Sequence, residues 1–274
     1  MRFAIKGEGP LAQGCAEAVA GRAGWVLTEE GPDVLVLCGP ASGYACQVSE
    51  AVRQGIRVLC PTPLACGGTD GQALLALARS GLVGALRPEL QRPHVAGLRQ
   101  ALDGPWLGPV GAVDITRKRP LGPGQDRCGG ALAQCAMEEV SAMVWLLGMP
   151  QRLFCVTTAL GEGEQVSLTL QQPNGALVNI QAVLGGFEEA YFSYEYAGRY
   201  GLADYDSRRG ALALSGGRTR LTQAGWTAQV CGRALEQALS APDDNGWADL
   251  LRVQLAALRA CRERRVVELG EVEP

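Results

Sequence analysis

The chain has 274 residues, a length that accommodates one large domain or, more naturally, two. Hydrophobic residues at 47%, charged residues at 19% and a mean hydropathy of +0.04 exclude a disordered, collagen-like or low-complexity chain. A net charge of -3, a pI near 5.4 and the lack of any long basic or acidic block leave no electrostatic footprint for nucleic acid or an anionic membrane surface.

Residues 2–6 read as a short apolar strand that runs into the turn Gly7-Glu8-Gly9-Pro10-Leu11-Ala12, and residues 11–20 as an Ala-rich helix. Such a start differs from a signal peptide, and no apolar run approaches the roughly 20 residues needed to span a bilayer, so a cytoplasmic location is expected. Residues 24–28 suit a second strand, and 33–38 (DVLVLC) form a continuous apolar run of the kind buried on both faces of a sheet. A helix over 44–54 is stopped by Gly55, and a strand over 56–60 leads to the turn Pro61-Thr62-Pro63. A helix over 70–79 ends at Gly81, and 82–86 is another strand. Strands alternating with helices at this spacing predict a parallel, doubly wound sheet.

From about Pro120 the pattern changes. The Gly/Pro-rich stretch 120–124 leads to a long apolar helix over 131–147. Alternating strands follow at 165–170 and 176–180, joined by the turn Pro173-Asn174-Gly175, and more at 190–196, 211–214 and 219–221. Helices over 227–239 and 247–262 and a strand over 266–269 complete the chain. The expected architecture is α/β: an N-terminal Rossmann dinucleotide-binding domain over 1–120, then a C-terminal α+β domain over 121–274 with an open, mainly antiparallel sheet.

Ten cysteines occur with no CxxC pair and a single histidine, His94, so no metal site is expected, and the cysteines are read as reduced core thiols. His94, at the start of a helix, suits a surface or capping role. Trp145 and Trp247 suit the core, and Tyr191, Tyr194 and Tyr196 a sheet face.

Several local motifs, in order, resemble the glucose-fructose oxidoreductase and inositol dehydrogenase (Gfo/Idh/MocA) family. They are the first Gly-rich turn, the strand over 33–38, the segment 51–65 (AVRQGIRVLCPTPLA), Leu107-Gly108-Pro109-Val110, the helix opening Gly129-Gly130-Ala131-Leu132, and the ending over 264–269. The resemblance implies NAD or NADP as cofactor. Gly7 and Gly9 would allow the tight turn and the approach of a pyrophosphate, and Ala12 the helix packing. Pro10 withholds one amide from that helix start. Cofactor contacts are assigned to Gly7, Gly9, Pro10, Leu11, Cys38, Gly39 and Pro61, with Glu29 at the ribose; Glu29 and Glu30 are equally readable as solvated turn residues. Only Glu30, Gly31 and Pro32 separate Glu29 from the next strand, where the family places a helix.

The family's catalytic lysine aligns with Thr62, and its histidine with Glu138, one turn after Gln134. Both expected catalytic residues are therefore replaced, which points to a degenerate active site that binds a small molecule or a partner subunit. The alternative is an active NAD(P)-dependent oxidoreductase in which Glu138, with a raised pKa, or Lys118 substitutes. Set against that alternative, Glu138 and Glu139 read as the polar side of a helix and 117–119 as a solvated basic stretch. The C-terminal sheet, whose outer face offers Thr169, Gln171 and aromatic positions, is expected to form a homo-oligomer or to pair with an active relative.

Overall fold

The computed structural model describes residues 1–65, 67–122, 128–214, 217–220, 227–240 and 246–272. Cys66, Pro123, Gly124 and Leu221, which enter the sequence reading, lie outside the described residues. The chain divides into two compact units, 1–91 with 224–252 and 92–223 with 253–273. Residues 92–120 thus group with the second unit and 224–252 with the first, where the sequence suggests one boundary at 120.

The first unit is a five-stranded parallel sheet. Its strands are β1 (Arg2–Lys6), β2 (Val26–Leu27), β3 (Val34–Leu37), β4 (Arg57–Pro61) and β5 (Val83–Leu86), in the order β2-β1-β3-β4-β5. The contiguous apolar run of β3 is buried at all four positions, as a strand covered on both faces requires. Helix α1 (Pro10–Ala20) starts with proline at its first position, where the missing N–H costs nothing. Helices α2 (Tyr44–Arg53) and α3 (Gly68–Leu77) pack against each other. Helix α6 (Ala228–Ser240) returns late in the chain to pack on α1. Its Cys231, Ala234, Leu235 and Ala238 close a core with Phe3, Cys15, Val19, Val34, Val36, Leu59 and Leu86. Arg57 donates to the Ala238 carbonyl at 2.7 Å and so satisfies the end of α6. No helix intervenes between β2 and β3. Because β2 pairs only with Arg2 and Phe3, the flank of β1 beyond Phe3 has no strand beside it on that side.

The second unit is a nine-stranded sheet ordered β13-β12-β11-β10-β6-β9-β8-β7-β14. Its strands are β6 (Val110–Pro120), β7 (Arg152–Leu160), β8 (Gly163–Gln171), β9 (Leu177–Gly185), β10 (Tyr191–Gly198), β11 (Leu202–Asp206), β12 (Ala211–Leu214), β13 (Gly217–Arg220) and β14 (Val267–Glu268). Every neighbour pair is antiparallel except β6 with β9. Strands β6, β7 and β11 are absent from the sequence reading. Helix α4 (Pro93–Asp103) packs on β11 and β12, and a π-helical turn (Leu132–Ala136) leading into α5 (Met137–Leu147) packs on β6, β8 and β9. Helix α7 (Trp247–Glu263) brings Cys261 to Cys155 of β7.

Alternation divides this sheet into a buried face with Val113, Ile115, Val178, Ile180, Tyr194 and Tyr196, and an opposite polar face. Tyr194 and Tyr196 are therefore core residues. The outer face carries a cross-strand row of Asp204, Glu195 and Asp114, continued by Asn179 and Thr169, so its charge is denser on the β6–β11 side than the sequence suggests.

Among the described residues no helix is long and apolar enough to cross a membrane, and no group of His, Cys, Asp or Glu is arranged to hold a metal ion. Eight described cysteines are free thiols; Cys128 is disulfide-bonded, a departure from a fully reduced set.

Candidate functional site

The first unit holds a cavity of about 990 Å³ at the carboxyl end of β1. Its lining includes Lys6, Gly7, Glu8, Gly9, Pro10, Ala12 and Gln13, with Thr28 and Glu29 from the end of β2. Parallel sheets place ligands at this position, outside the carboxyl ends of the strands and beside the point where the strand order reverses. Gly7 (φ +127°) is obligatory: a Cβ there would lie 2.4 Å from the backbone of Cys38 and Gly39. Gly9 (φ +97°) faces open space, with nothing within 4 Å of where its Cβ would be. No side chain caps the start of α1.

These features fit the diphosphate of a dinucleotide. Gly9 would leave room for it, the uncapped helix start would present amides to it, and Glu29, in the same cavity, could accept hydrogen bonds from ribose hydroxyls. Gly7, Gly9, Pro10 and Glu29 are thus brought together as the sequence suggests. Leu11 is not: its side chain packs against the core. Cys38 and Gly39 serve as the backbone against which Gly7 closes, and the Gly39 carbonyl accepts from Tyr44 Oη at 2.9 Å. Pro61 is buried at the end of β4, and Thr62 follows it in a cis peptide with Pro63.

In the second unit, Glu138 lies on the first turn of α5 with its side chain 16% exposed. Arg92 and Arg117 each donate to its Oε2 at 3.0 Å. Burial alone would raise its pKa, but Arg92, Arg117 and Arg119 outweigh that and hold the carboxyl at about 2. Arg117 also pairs with Glu139 at 3.2 Å and lies over the Phe192 ring. Burial opposes its charge, yet Glu138 and Glu139 keep the guanidinium protonated. Glu139, fully enclosed, accepts a short hydrogen bond from Tyr194 Oη, and burial raises its pKa.

Two expectations are corrected here. Glu138 is a permanent carboxylate at neutral pH, the opposite of the raised pKa that proton transfer would demand. Lys118 does not share its surroundings: Arg117 and Arg119 point toward the helix side, Arg119 donating to the Gln134 carbonyl at 2.9 Å, so alternation turns Lys118 to the other face, over Tyr191. The basic triplet 117–119 is therefore the end of a sheet strand. Gln134 uses its amide to bond the Cys128 carbonyl at 3.2 Å, and the π-helical turn at 132–136 alters the spacing between Gln134 and Glu138. His94 is buried, stacked on Tyr205 with ring centroids 4.7 Å apart, and burial with Arg92 and Arg117 nearby lowers its pKa to about 3.

Lys6 and Arg92 are the residues that sequence reasoning passed over. Lys6 could have been found from its place directly before the glycine turn, at the strand end where ligands bind. Arg92 carries no local signal, since its partner is 46 residues away.

No protein-family model matches the chain. The chain is similar to the inositol 2-dehydrogenase of Rhizobium meliloti (strain 1021), 25% identical over 178 residues, which is 60% of this chain and 52% of that protein. The matched stretch thus spans about half the length of that curated relative. Among solved structures, the aldose-aldose oxidoreductase of Caulobacter crescentus superposes with a TM-score of 0.73 at 20% identity, covering 98% of this chain and 99% of the other. An oxidoreductase of Agrobacterium radiobacter, solved with NAD+, L-tartaric acid and magnesium, gives 0.78 at 13% identity, covering 100% and 99%. The biliverdin reductase of Synechocystis sp. PCC 6803, solved with biliverdin and NADP+, gives 0.75 at 18%, covering 95% and 99%. The chain is thus similar in sequence to an inositol 2-dehydrogenase and shares the fold of these oxidoreductase structures.

Proposed function

We propose that the chain is a nucleotide-binding oxidoreductase homologue with a degenerate catalytic centre, which binds a small molecule or a partner subunit with hydride transfer lost or impaired. One observation carries this reading: the acidic group at the position aligned with the family's histidine is neutralised by two guanidiniums. Oxidising an alcohol requires a base that takes the hydroxyl proton as the hydride leaves, and such a base works best with a pKa near the operating pH. Glu138, held at about 2, is several powers of ten too weak a base. Thr62, at the lysine position, brings a neutral hydroxyl in place of an ammonium. A bound NAD or NADP would supply the hydride chemistry, and this chain retains the turn to hold it. Glu29 at the ribose would repel a 2′-phosphate, which favours NAD.

The experiment is a thermal-shift and tryptophan-fluorescence titration with NADH and NADPH, followed by a turnover screen on polyols, sugars and imines. Binding of NADH without turnover is expected. Robust turnover would overturn the degenerate reading, and a flat response to both nucleotides would remove the nucleotide reading.

For partners, the reading assigns the outer face of the nine-stranded sheet to self-association, or to pairing with an active relative. The neutral side of that face, built from Ser167, Thr169, Asn179 and Gln181, supports this. A cytoplasmic location accords with the composition.

A further inference from the structure

We propose that Lys6 is the cation that receives the diphosphate end of the ligand in the glycine-turn cavity, an inference that rests on the nucleotide reading above. The chain has two lysines, and one of them stands at the last position of β1, immediately before Gly7. Lys6 is exposed and lines the cavity. Its register partner Leu37 is buried, so the ammonium stands at the carboxyl end of β1, in water and beside the glycine turn.

The charge balance of the lining makes this placement informative. Glu8 and Glu29 line the same cavity, and Lys6 is the one cation among its described lining residues. None of the three side chains has an ion-pair partner among the described residues. Without Lys6 the cavity would carry two uncompensated carboxylates and would repel any phosphate ester. Pro10 removes one of the amides that a helix start ordinarily offers to an anion, so the backbone alone is a weaker phosphate receptor than usual. An ammonium beside Gly7 supplies what both features take away. The two-residue length of β2 leaves the β1 flank open beside it, so no strand there blocks the approach.

The test uses the intact chain and isothermal titration with ADP, inorganic pyrophosphate and adenosine as probes. The wild type is expected to bind ADP and pyrophosphate, more weakly as salt rises. Lys6→Met should weaken ADP binding roughly tenfold, the loss of one charge-assisted hydrogen bond in a partly solvated site, and flatten the salt dependence. Lys6→Arg should restore ADP affinity to within about threefold, because it keeps the charge. Adenosine, which has no phosphate, should bind all three proteins alike. Because Lys6 is exposed, the melting temperatures of the variants should match the wild type and exclude misfolding as the cause. Unchanged ADP affinity in Lys6→Met would overturn the assignment of Lys6 and leave the nucleotide reading intact. A wild type that binds neither ADP nor pyrophosphate would overturn both.

Discussion

Arg117 on β6 meets Glu138 on α5 at 3.0 Å, with 12% and 16% of the two side chains exposed. The same guanidinium serves Glu139, and Arg92 approaches Glu138 from the N-cap position just before α4. A charge network of this depth is sensitive to removal of one member, since the charges facing it then lose a desolvated partner.

Glu138→Gln is therefore expected to destabilise the second unit by roughly 2–4 kcal/mol in urea denaturation at pH 7. The pH dependence has a definite sign. Glu138 has a folded pKa of about 2 against an ordinary value of 4.5, so its contribution is complete above 4.5 and is lost as pH falls toward 2. The stability gap between wild type and Glu138→Gln should be constant from pH 5 to 7 and close progressively between about pH 4.5 and pH 2. A variant as stable as the wild type at pH 7 would show that the network is not the structural clamp described.

His94 offers a second pH test. Its folded pKa, about 3, lies below the ordinary 6.5, so the unfolded chain binds the proton and stability falls as pH drops from 6.5 toward 3. The loss should be on the order of several kcal/mol across that window. His94→Phe, which keeps a ring against Tyr205, should abolish the part of the acid sensitivity that begins near pH 6.5. Retention of the full slope in the variant would assign it to other groups.

Gly7 and Gly9 should separate folding from binding. Gly7→Ala forces a methyl into the backbone of Cys38 and Gly39 and is expected to cost roughly 2–4 kcal/mol of stability. Gly9→Ala meets no neighbour and should cost only about 1 kcal/mol for its positive φ. It should nevertheless weaken ADP binding by narrowing the approach to the helix start. Chemical denaturation and calorimetric titration of the two variants would check both outcomes.

Self-association through the outer sheet face predicts a mass at least twice 28.8 kDa in light scattering at micromolar concentration. Gln181→Arg or Ser167→Arg, both on the neutral side of that face, should yield the monomer mass without lowering the melting temperature. A wild-type mass near 28.8 kDa would refute the homo-oligomer.

The parallel sheet was legible because its strands are short apolar runs separated by Gly and Pro, and β8 and β9 because of Asn174-Gly175. Strand β6 was hidden by its own chemistry. Arg117 and Arg119 occupy inward positions, and their burial is made possible by Glu138, Glu139 and the Gln134 carbonyl on an element that begins more than ten residues later. A local pattern carries no record of such a partner, so an inward arginine reads as a solvated one. For the same reason the sequence could place Glu138 on a helix but could not reveal that it is already neutralised. The glycine turn was legible to the residue; the role of Lys6 depends on β2 being only two residues long, a property of pairing and not of composition.

Helix α6 completes the core of a unit whose five strands are all translated within the first 91 residues. On the ribosome, the apolar side formed by Phe3, Cys15, Val19, Val34 and Val36 has to wait for residues 228–240, on the order of ten seconds at about 5–20 residues per second. Residues 92–223 of the second unit emerge within that interval, while its segment 253–273 follows α6. A nascent chain stalled before residue 228 would display this apolar side to chaperones and to other nascent chains.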